Sequence, residues 1–299
     1  MKHVFIVNPK AGRKDAGREV AQSLAGMSEL DYEIYVTRFR KDATHFVHDY
    51  CLAHPAQKTR FYACGGDGTI GEVANGIVGF DNASMSCYPC GSGNDYVKSY
   101  GGKERFLDIP RLIRGKERDV DLMRVNDRWC VNVFDVGFDS WVCNTMTRVK
   151  RKPIIGGKNA YFTGVAQALL HAMRTPCRIE ADGEELTRDS ILLCTVANGS
   201  YVGGSFCCAP RAKTDDGLLE VCMVRPVSRM RFLRLAGIYR RGEHLEHPEL
   251  AHILEYRRAS RVRVSAQEPF WSVLDGELLQ TDDVHVEAVP RAIRFAIPE

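Results

Sequence analysis

Along the first third of the chain, short apolar runs alternate with stretches whose hydrophobic residues recur at helical spacing. Residues 4–7 read as a buried strand, followed by a turn containing Gly12 and a helix near 13–25. Residues 32–37 are strand-like, 43–53 helical, and 60–64 a further strand that ends at Gly65-Gly66. A helix over 69–77 and an extended segment over 85–90 complete the series. Strand and helix alternating at this spacing predict parallel pairing with right-handed crossovers, hence an α/β, doubly wound sheet.

After about Asp119 the texture changes. Segments 129–134, 191–196, 218–224, 261–265 and 284–289 are strand-like and separated by turn residues, with helical stretches near 159–173 and 227–241. This predicts a second, β-rich domain over 124–289. The first domain then covers 1–123, with the tail 290–299 returning to it. Residues 153–158 (Pro-Ile-Ile-Gly-Gly-Lys) form the expected mobile loop. No repeat or low-complexity segment interrupts the pattern.

With 299 residues, 44% hydrophobic and 26% charged, the chain can build a large core, which excludes wholesale disorder. A net charge of +3 is too mild to mark a nucleic-acid binder, yet compatible with an anionic membrane surface. The 11 cysteines are scattered, without a paired CxxC…CxxC set, so no zinc ribbon is expected. The single Cys87-Tyr-Pro-Cys90 motif admits a redox reading, but two small apolar side chains on a buried strand are the simpler account. That usage points to a reducing, cytoplasmic setting. The amino-terminal apolar run is too short for a signal-peptide core, and no stretch approaches the roughly 18 apolar residues of a membrane span.

The strongest local signal is Gly65-Gly66-Asp67-Gly68-Thr69, placed after an apolar strand and ahead of a helix. Glycines let backbone N–H groups approach an anion, and the helix directs its positive end to the same place. A carboxylate beside such a cradle repels a phosphate unless a cation lies between, so Asp67 implies Mg²⁺. Gly-Asp-Gly is also ordinary turn chemistry. Two companions favour the functional reading: Asn8-Pro9-Lys10-Ala11-Gly12 at the exit of the first strand and Gly91-Ser92-Gly93-Asn94-Asp95 at the exit of the fourth. In a doubly wound sheet ligands bind outside the carboxyl ends of the strands, where these loops converge.

At these residues the chain resembles the diacylglycerol kinase catalytic family, in the pattern of the small soluble bacterial lipid kinases. The match runs through Asn8-Pro9-x-x-Gly12, Gly65–Thr69 with Glu72-Val73-Ala74-Asn75-Gly76, and Pro89-x-Gly91-Ser92-x-Asn94-Asp95. It continues through Asp119-Val120-Asp121, Asp215-Asp216-Gly217, Arg241-Gly242-Glu243-His244, His247-Pro248 and Asp275-Gly276-Glu277, covering nearly the whole chain in order. The resemblance implies a nucleotide domain and a sandwich-like domain with the site between them. It implies ATP held by Asn8, Pro9, Lys10, Ala11, Gly12, Thr37, Gly65, Gly66, Asp67, Gly68, Thr69, Ile70, Gly71 and Ser92. It makes Asp275 the general base, and Asp67, Asp121 and Glu277 the acidic network around a catalytic magnesium. A second magnesium would take the Asp216 carboxylate and the carbonyls of Lys213 and Leu218. Ser92 stands where threonine is usual, Gly71 where asparagine is common and Arg13 where lysine is common, and residues 160–163 hold no lysine.

Phosphoryl transfer asks mainly for positioning and charge stabilisation, with a base for the attacking hydroxyl. Asp275 follows the apolar-aromatic segment 270–274, and alternation would place it and Glu277 on one strand face. Taken alone, Asp275-Gly276-Glu277 also reads as a hairpin turn with two solvated acids, and Asp119-Val120-Asp121 as a solvated strand edge. The expected activity is ATP-dependent phosphorylation of a diacylglycerol-like lipid alcohol met at the membrane surface. An NAD kinase-like enzyme and a non-catalytic nucleotide-binding regulator are the alternatives. Six arginines between Arg225 and Arg241 interleave with apolar residues, which fits either a membrane-lying helix or a surface helix packed on its own domain. Arg148, Lys150, Arg151 and Lys152 form a second basic candidate. His244, His247 and His252 match no common zinc spacing. Monomer or homodimer stays open.

Overall fold

Strand β1 (Lys2–Val7) lies parallel to β2 (Tyr32–Val36) on one side and to β3 (Thr59–Gly65) on the other. This computed structural model describes residues 1–12, 16–149 and 158–299. Arg13, Lys150, Arg151, Lys152 and residues 153–157 of the expected loop lie outside the described residues; Arg148 is exposed. The chain divides into two compact units: Met1–Leu122 with Thr214–Gly217 and Val289–Glu299, and Met123–Lys213 with Leu218–Ala288.

In the first unit, β4 (Ala83–Pro89) pairs parallel with β3, and helices α1 (Ala16–Ala25), α2 (Asp42–Ala53), α3 (Asp67–Ile77) and α4 (Ile109–Arg114) connect or follow the strands. Every residue of β3 and β4 is buried. That is why these strands read as continuous apolar runs: a parallel sheet is covered on both faces. The order β4-β3-β1-β2 means the chain leaves β1 in one direction and returns to its other side at β3. The loops after β1 and β3 therefore flank the topological switch point. Helix α2 starts from Lys41 at φ 66°, which provides no side-chain cap. Glu72 of α3 supplies the missing acceptor, taking the N–H groups of Lys41 at 2.9 Å and Ala43 at 3.3 Å.

Strand β5 (Lys116–Val125) runs from the first unit into the second. There β6 (Arg128–Cys130), β7 (Val133–Gly137), helices α5 (Phe138–Val149) and α6 (Lys158–His171), and short strands β8 (Thr175–Pro176), β9 (Arg178–Ala181), β10 (Glu184–Thr187) and β11 (Ser190–Ile191) follow. Then come β12 (Leu193–Ala197), β13 (Leu219–Val224), α7 (Arg229–Arg241), β14 (Leu254–Ala259), β15 (Arg261–Leu274) and β16 (Glu277–Ile297). The antiparallel order is β14-β13-β12-β7-β15-β16, with the β9–β10 hairpin attached to β15. Phe134, Val136, Cys194, Val196, Val221 and Met223 pack in one core, whereas Val133, Leu193, Ala197, Cys222 and Val224 pack with the helices in another. Side chains alternate between faces along a strand, so this sheet buries both.

Three expectations change. The single strand expected over 129–134 is broken into β6 and β7, because the backbone N–H groups of Val131, Asn132 and Val133 turn to the Asp275 carboxylate. Helix α5 was not expected, since its buried residues Phe138, Ser140, Val142 and Asn144 include two polar ones and blur the pattern. The expected short strands at 261–265 and 284–289 are parts of strands 14 and 21 residues long.

Candidate active site

The loops that follow β1, β3 and β4 touch one another through glycine. A side chain on Gly91 would place its Cβ 2.4 Å from Gly66 Cα, and one on Gly12 would meet the Cys90 carbonyl oxygen at 2.1 Å. Only glycine allows backbone to approach backbone this closely. The main chain locks the contact, with Cys90 N–H donating to the Gly65 carbonyl at 2.9 Å. Across the switch point, Asn8 Nδ2 donates to Thr69 Oγ1 at 3.1 Å, while Asn8 Oδ1 accepts from Lys10 N–H at 3.0 Å.

A cleft of about 240 Å³ opens here, lined by Asn8, Pro9, Lys10, Thr37, Arg38, Phe39, Arg40, Thr69 and Glu72. Of the expected nucleotide residues it gathers Asn8, Pro9, Lys10, Thr37 and Thr69. Ala11, Gly12, Gly65, Gly66, Asp67, Gly68, Gly71 and Ser92 do not line it, and the Ile70 side chain is buried in the core. Sequence reading missed Arg38, Phe39, Arg40 and Glu72. The signal available was the place of Arg38, Phe39 and Arg40 directly after Thr37, at the carboxyl end of β2, and that of Glu72 one helical turn after Thr69. Arg38 is held by Asp42, whose buried carboxylate accepts its backbone N–H at 2.7 Å. Phe39 keeps 56% of its surface exposed.

Asp67 opens α3, and its Oδ1 accepts from the backbone N–H groups of Asp95 at 2.6 Å and Tyr96 at 3.1 Å. It thereby anchors the start of the 3-10 turn Tyr96–Tyr100. Asp121 is buried to 1% exposure, not on a solvated edge. Its Oδ2 accepts from Gly217 N–H at 2.6 Å and its Oδ1 from Arg291 N–H at 2.8 Å. Its own N–H donates to the Thr214 carbonyl at 2.7 Å. One side chain thus fastens the segments 214–217 and 289–299 to β5.

In the second unit, Asp275 and Gly276 form the two-residue turn between β15 and β16, closed by the Leu274–Glu277 pair. Their φ angles, 45° and 85°, are those a tight two-residue hairpin requires. Asp275 therefore sits in the turn rather than on a strand, and the alternation argument for sharing a face with half-buried Glu277 does not apply. Nor is Asp275 a solvated turn acid. Its carboxylate accepts from the N–H groups of Val131 at 2.6 Å, Asn132 at 3.0 Å and Val133 at 3.0 Å. Burial raises its pKa from the ordinary 3.8, and the donors of Val131, Val133 and Asn132 oppose that shift without cancelling it.

Two further acids of this unit escaped sequence reading. Asp135 on β7 is buried, and its Oδ1 accepts from Thr195 Oγ1 at 2.6 Å. Burial first, then the charges of Asp139 and Asp275, push its carboxyl well above the usual range. Burial also pushes Asp139 up to about 6. The only sequence signal was their four-residue spacing across the end of β7.

Asp216 is half-buried in the first unit, while Lys213 and Leu218 belong to the second. Among the described residues no three His, Cys, Asp or Glu side chains gather closely enough to hold a metal ion. Burial raises both the Cys87 and Cys90 thiols, which suppresses the thiolate and leaves the simpler account of that pair. His244 is buried beside Tyr239 rather than grouped with other metal donors.

Residues 2–125 match the diacylglycerol kinase catalytic domain, and residues 132–297 match the YegS C-terminal NAD kinase beta sandwich-like domain. A diacylglycerol kinase of Bacillus subtilis (strain 168) is 31% identical, covering 91% of this chain and 88% of its own. A YegS-like protein of Chromohalobacter salexigens, named as a probable lipid kinase, is 28% identical over 83% of this chain and 78% of its own. A crystal structure from Bacillus anthracis str. Sterne, described as a candidate diacylglycerol kinase, superposes with a TM-score of 0.76 at 25% identity, covering 99% of this chain and 96% of that one. With glycine loops at a switch-point cleft in one unit and a β-rich second unit, the chain belongs to the diacylglycerol kinase family and is an ATP-dependent lipid kinase.

Proposed function

We propose that the chain moves the γ-phosphoryl group of ATP onto the hydroxyl of a diacylglycerol-like lipid, with Asp275 as the general base. The observation that carries this reading is the cleft at the switch point, where Lys10, Arg38 and Arg40 supply positive charge beside the amino end of α3. The exposed Phe39 ring in the same cleft offers a face for the base of the nucleotide. Relatives from Bacillus subtilis, Staphylococcus aureus and Mycobacterium tuberculosis carry the name diacylglycerol kinase, which supports the acceptor class. In this reading the first unit is the nucleotide domain and the second the lipid-acceptor domain, working at a membrane surface.

In the transfer step the lipid hydroxyl gives its proton to the Asp275 carboxylate while its oxygen bonds to the γ-phosphorus. The bond from that phosphorus to the β–γ bridging oxygen breaks, and ADP leaves. Asp275 suits the role because its burial raises its affinity for the proton. The donor set of Asp67, Asp121 and Glu277 is all carboxylate oxygen, the chemistry that suits Mg²⁺. In this reading Asp67, Asp121 and Glu277 would contribute carboxylate oxygens to an ion carried in with the nucleotide phosphates. When bound, the ion neutralises charge developing on the phosphates. Asp67 and Asp121 already accept backbone N–H groups, and as carboxylates they would keep acceptor capacity for the ion. Asp216 with the carbonyls of Lys213 and Leu218 would hold a second, structural magnesium.

Gly68 separates a glycine kept for the ligand from one kept for the fold. An added Cβ there meets nothing within 4 Å, so packing does not demand glycine. Gly68→Ala is expected to gain about 1 kcal/mol in thermal or denaturant unfolding, because alanine favours helix. The same change should raise KM for ATP about tenfold, the cost of one lost phosphate contact. A variant both more stable and unimpaired for ATP would remove the α3 amino end from nucleotide binding.

The acceptor is tested with purified protein, labelled ATP, Mg²⁺ and a panel of diacylglycerol, phosphatidylglycerol, a sphingoid base and NAD, resolved by thin-layer chromatography. Label in phosphorylated diacylglycerol is expected. Label entering NAD and no lipid would replace this reading with a nucleotide kinase.

A further inference from the structure

Helix α6 is apolar on two sides. One side packs in the second unit: Ala168 and Ala172 are buried, Val165 and Leu169 join the same cluster, and Gly164 lies so close to α5 that a Cβ would meet the Val142 carbonyl oxygen at 2.9 Å. The other side faces solvent. Phe162, Ala166 and Leu170 recur every four residues there, with Phe162 66% and Leu170 59% exposed. Between residues 159 and 170 there is no acidic or basic side chain. A helix that only covered a core would carry charge on this face.

Helix α7 continues the same surface. Its apolar face, with Phe232, Leu235 and Tyr239, packs on its own domain, as the surface-helix alternative foresaw. Its outward face nevertheless shows Met230, 77% exposed, and Leu233, 55% exposed. Arg229 joins the two helices, donating to the carbonyls of Leu169 at 2.6 Å and Leu170 at 3.3 Å. The side chains next to these junctions, Leu170 and Met230, belong to one patch. Arg234, Arg240 and Arg241 are exposed along the same helix, and Arg174 beyond the end of α6. Glu249 pairs with Arg234 and Glu243 with Arg241, leaving the rim net positive.

We propose that α6 and α7 form the surface on which this protein lies against an anionic bilayer. Phe162, Leu170, Met230 and Leu233 enter the headgroup layer, and the arginines take lipid phosphates. A second copy is the poorer occupant, since a two-fold contact through this face sets the same arginines against each other. The purpose of the surface rests on the lipid-acceptor reading above, but its geometry does not.

The test is sedimentation with vesicles of phosphatidylcholine, with and without phosphatidylglycerol, in the absence of nucleotide. Wild type should partition onto the anionic vesicles, less so at high salt, and Leu170→Glu/Leu233→Glu should weaken this about tenfold or more. Both substituted residues are exposed, so the unfolding midpoint should hold; Met230→Ser serves as a second variant if it does not. Turnover on a short-chain diacylglycerol dispersed below its micelle concentration should be unchanged. Equal vesicle binding by wild type and variant overturns the proposal, as does a wild-type dimer that the substitutions dissociate. If neither protein phosphorylates the short-chain lipid, the acceptor reading fails while the vesicle result still decides the surface.

Discussion

Asp275→Asn is expected to slow phosphoryl transfer by ~10²–10⁴-fold, the usual worth of a general base, with ATP binding near wild type. Asparagine is the informative substitute because the position has φ 45°, which asparagine tolerates and alanine does not. It keeps an oxygen for the N–H groups of Val131, Asn132 and Val133, but presents its own NH₂ to one of them. A modest loss of stability, about 1–3 kcal/mol, should accompany the change. The wild-type rate should fall with acid through a pKa above the ordinary 3.8, because a protonated Asp275 cannot accept the hydroxyl proton. The stability linkage has the opposite sense. A carboxyl whose folded pKa is raised favours the folded state most below its unfolded pKa, and that contribution is lost as pH rises through the folded value. Single-turnover rates against pH, with ATP binding measured by titration calorimetry, check both parts. An unaltered rate in Asp275→Asn would take this residue out of the mechanism.

Asp121→Ala is expected to cost about 3–5 kcal/mol of folding stability, apart from any loss of turnover. Its two oxygens are the acceptors for Gly217 and Arg291 N–H groups in a site only 1% exposed. Removing them strands two donors and unfastens two segments that rejoin the first unit from far along the chain. Denaturant unfolding measures the loss, and amide exchange at Gly217 and Arg291 should quicken more than exchange in β1. Wild-type stability with lost turnover would instead make Asp121 purely an active-site residue.

Much of this was written in local pattern. The apolar runs of β1, β3 and β4 announced a parallel sheet because such strands are buried on both faces. The Gly65–Thr69 turn from strand into helix was legible because its glycines and the following helix are neighbours in sequence. The ordered series of motifs, from Asn8 to Glu277, announced the family before any coordinate was needed.

What local pattern lacked was anything set by residues distant along the chain. Taken alone, Asp121 could not be told from a solvated edge, because its partners, Gly217 and Arg291, lie about a hundred residues or more away. The strand over 129–134 had to break for a carboxylate 142 to 144 residues on, which no periodicity within the strand can encode. Asp135 and Asp139 drew no notice in the sequence, since burial and not composition raises their pKa values. The outward apolar stripe of α6 stood among equally apolar inward residues, and only packing against α5 decided which side stayed open. Sequence therefore determined the elements, the loops and the chemistry on offer. Tertiary structure decided which acids are solvated and which faces remain uncovered, because desolvation depends on the neighbours that folding brings.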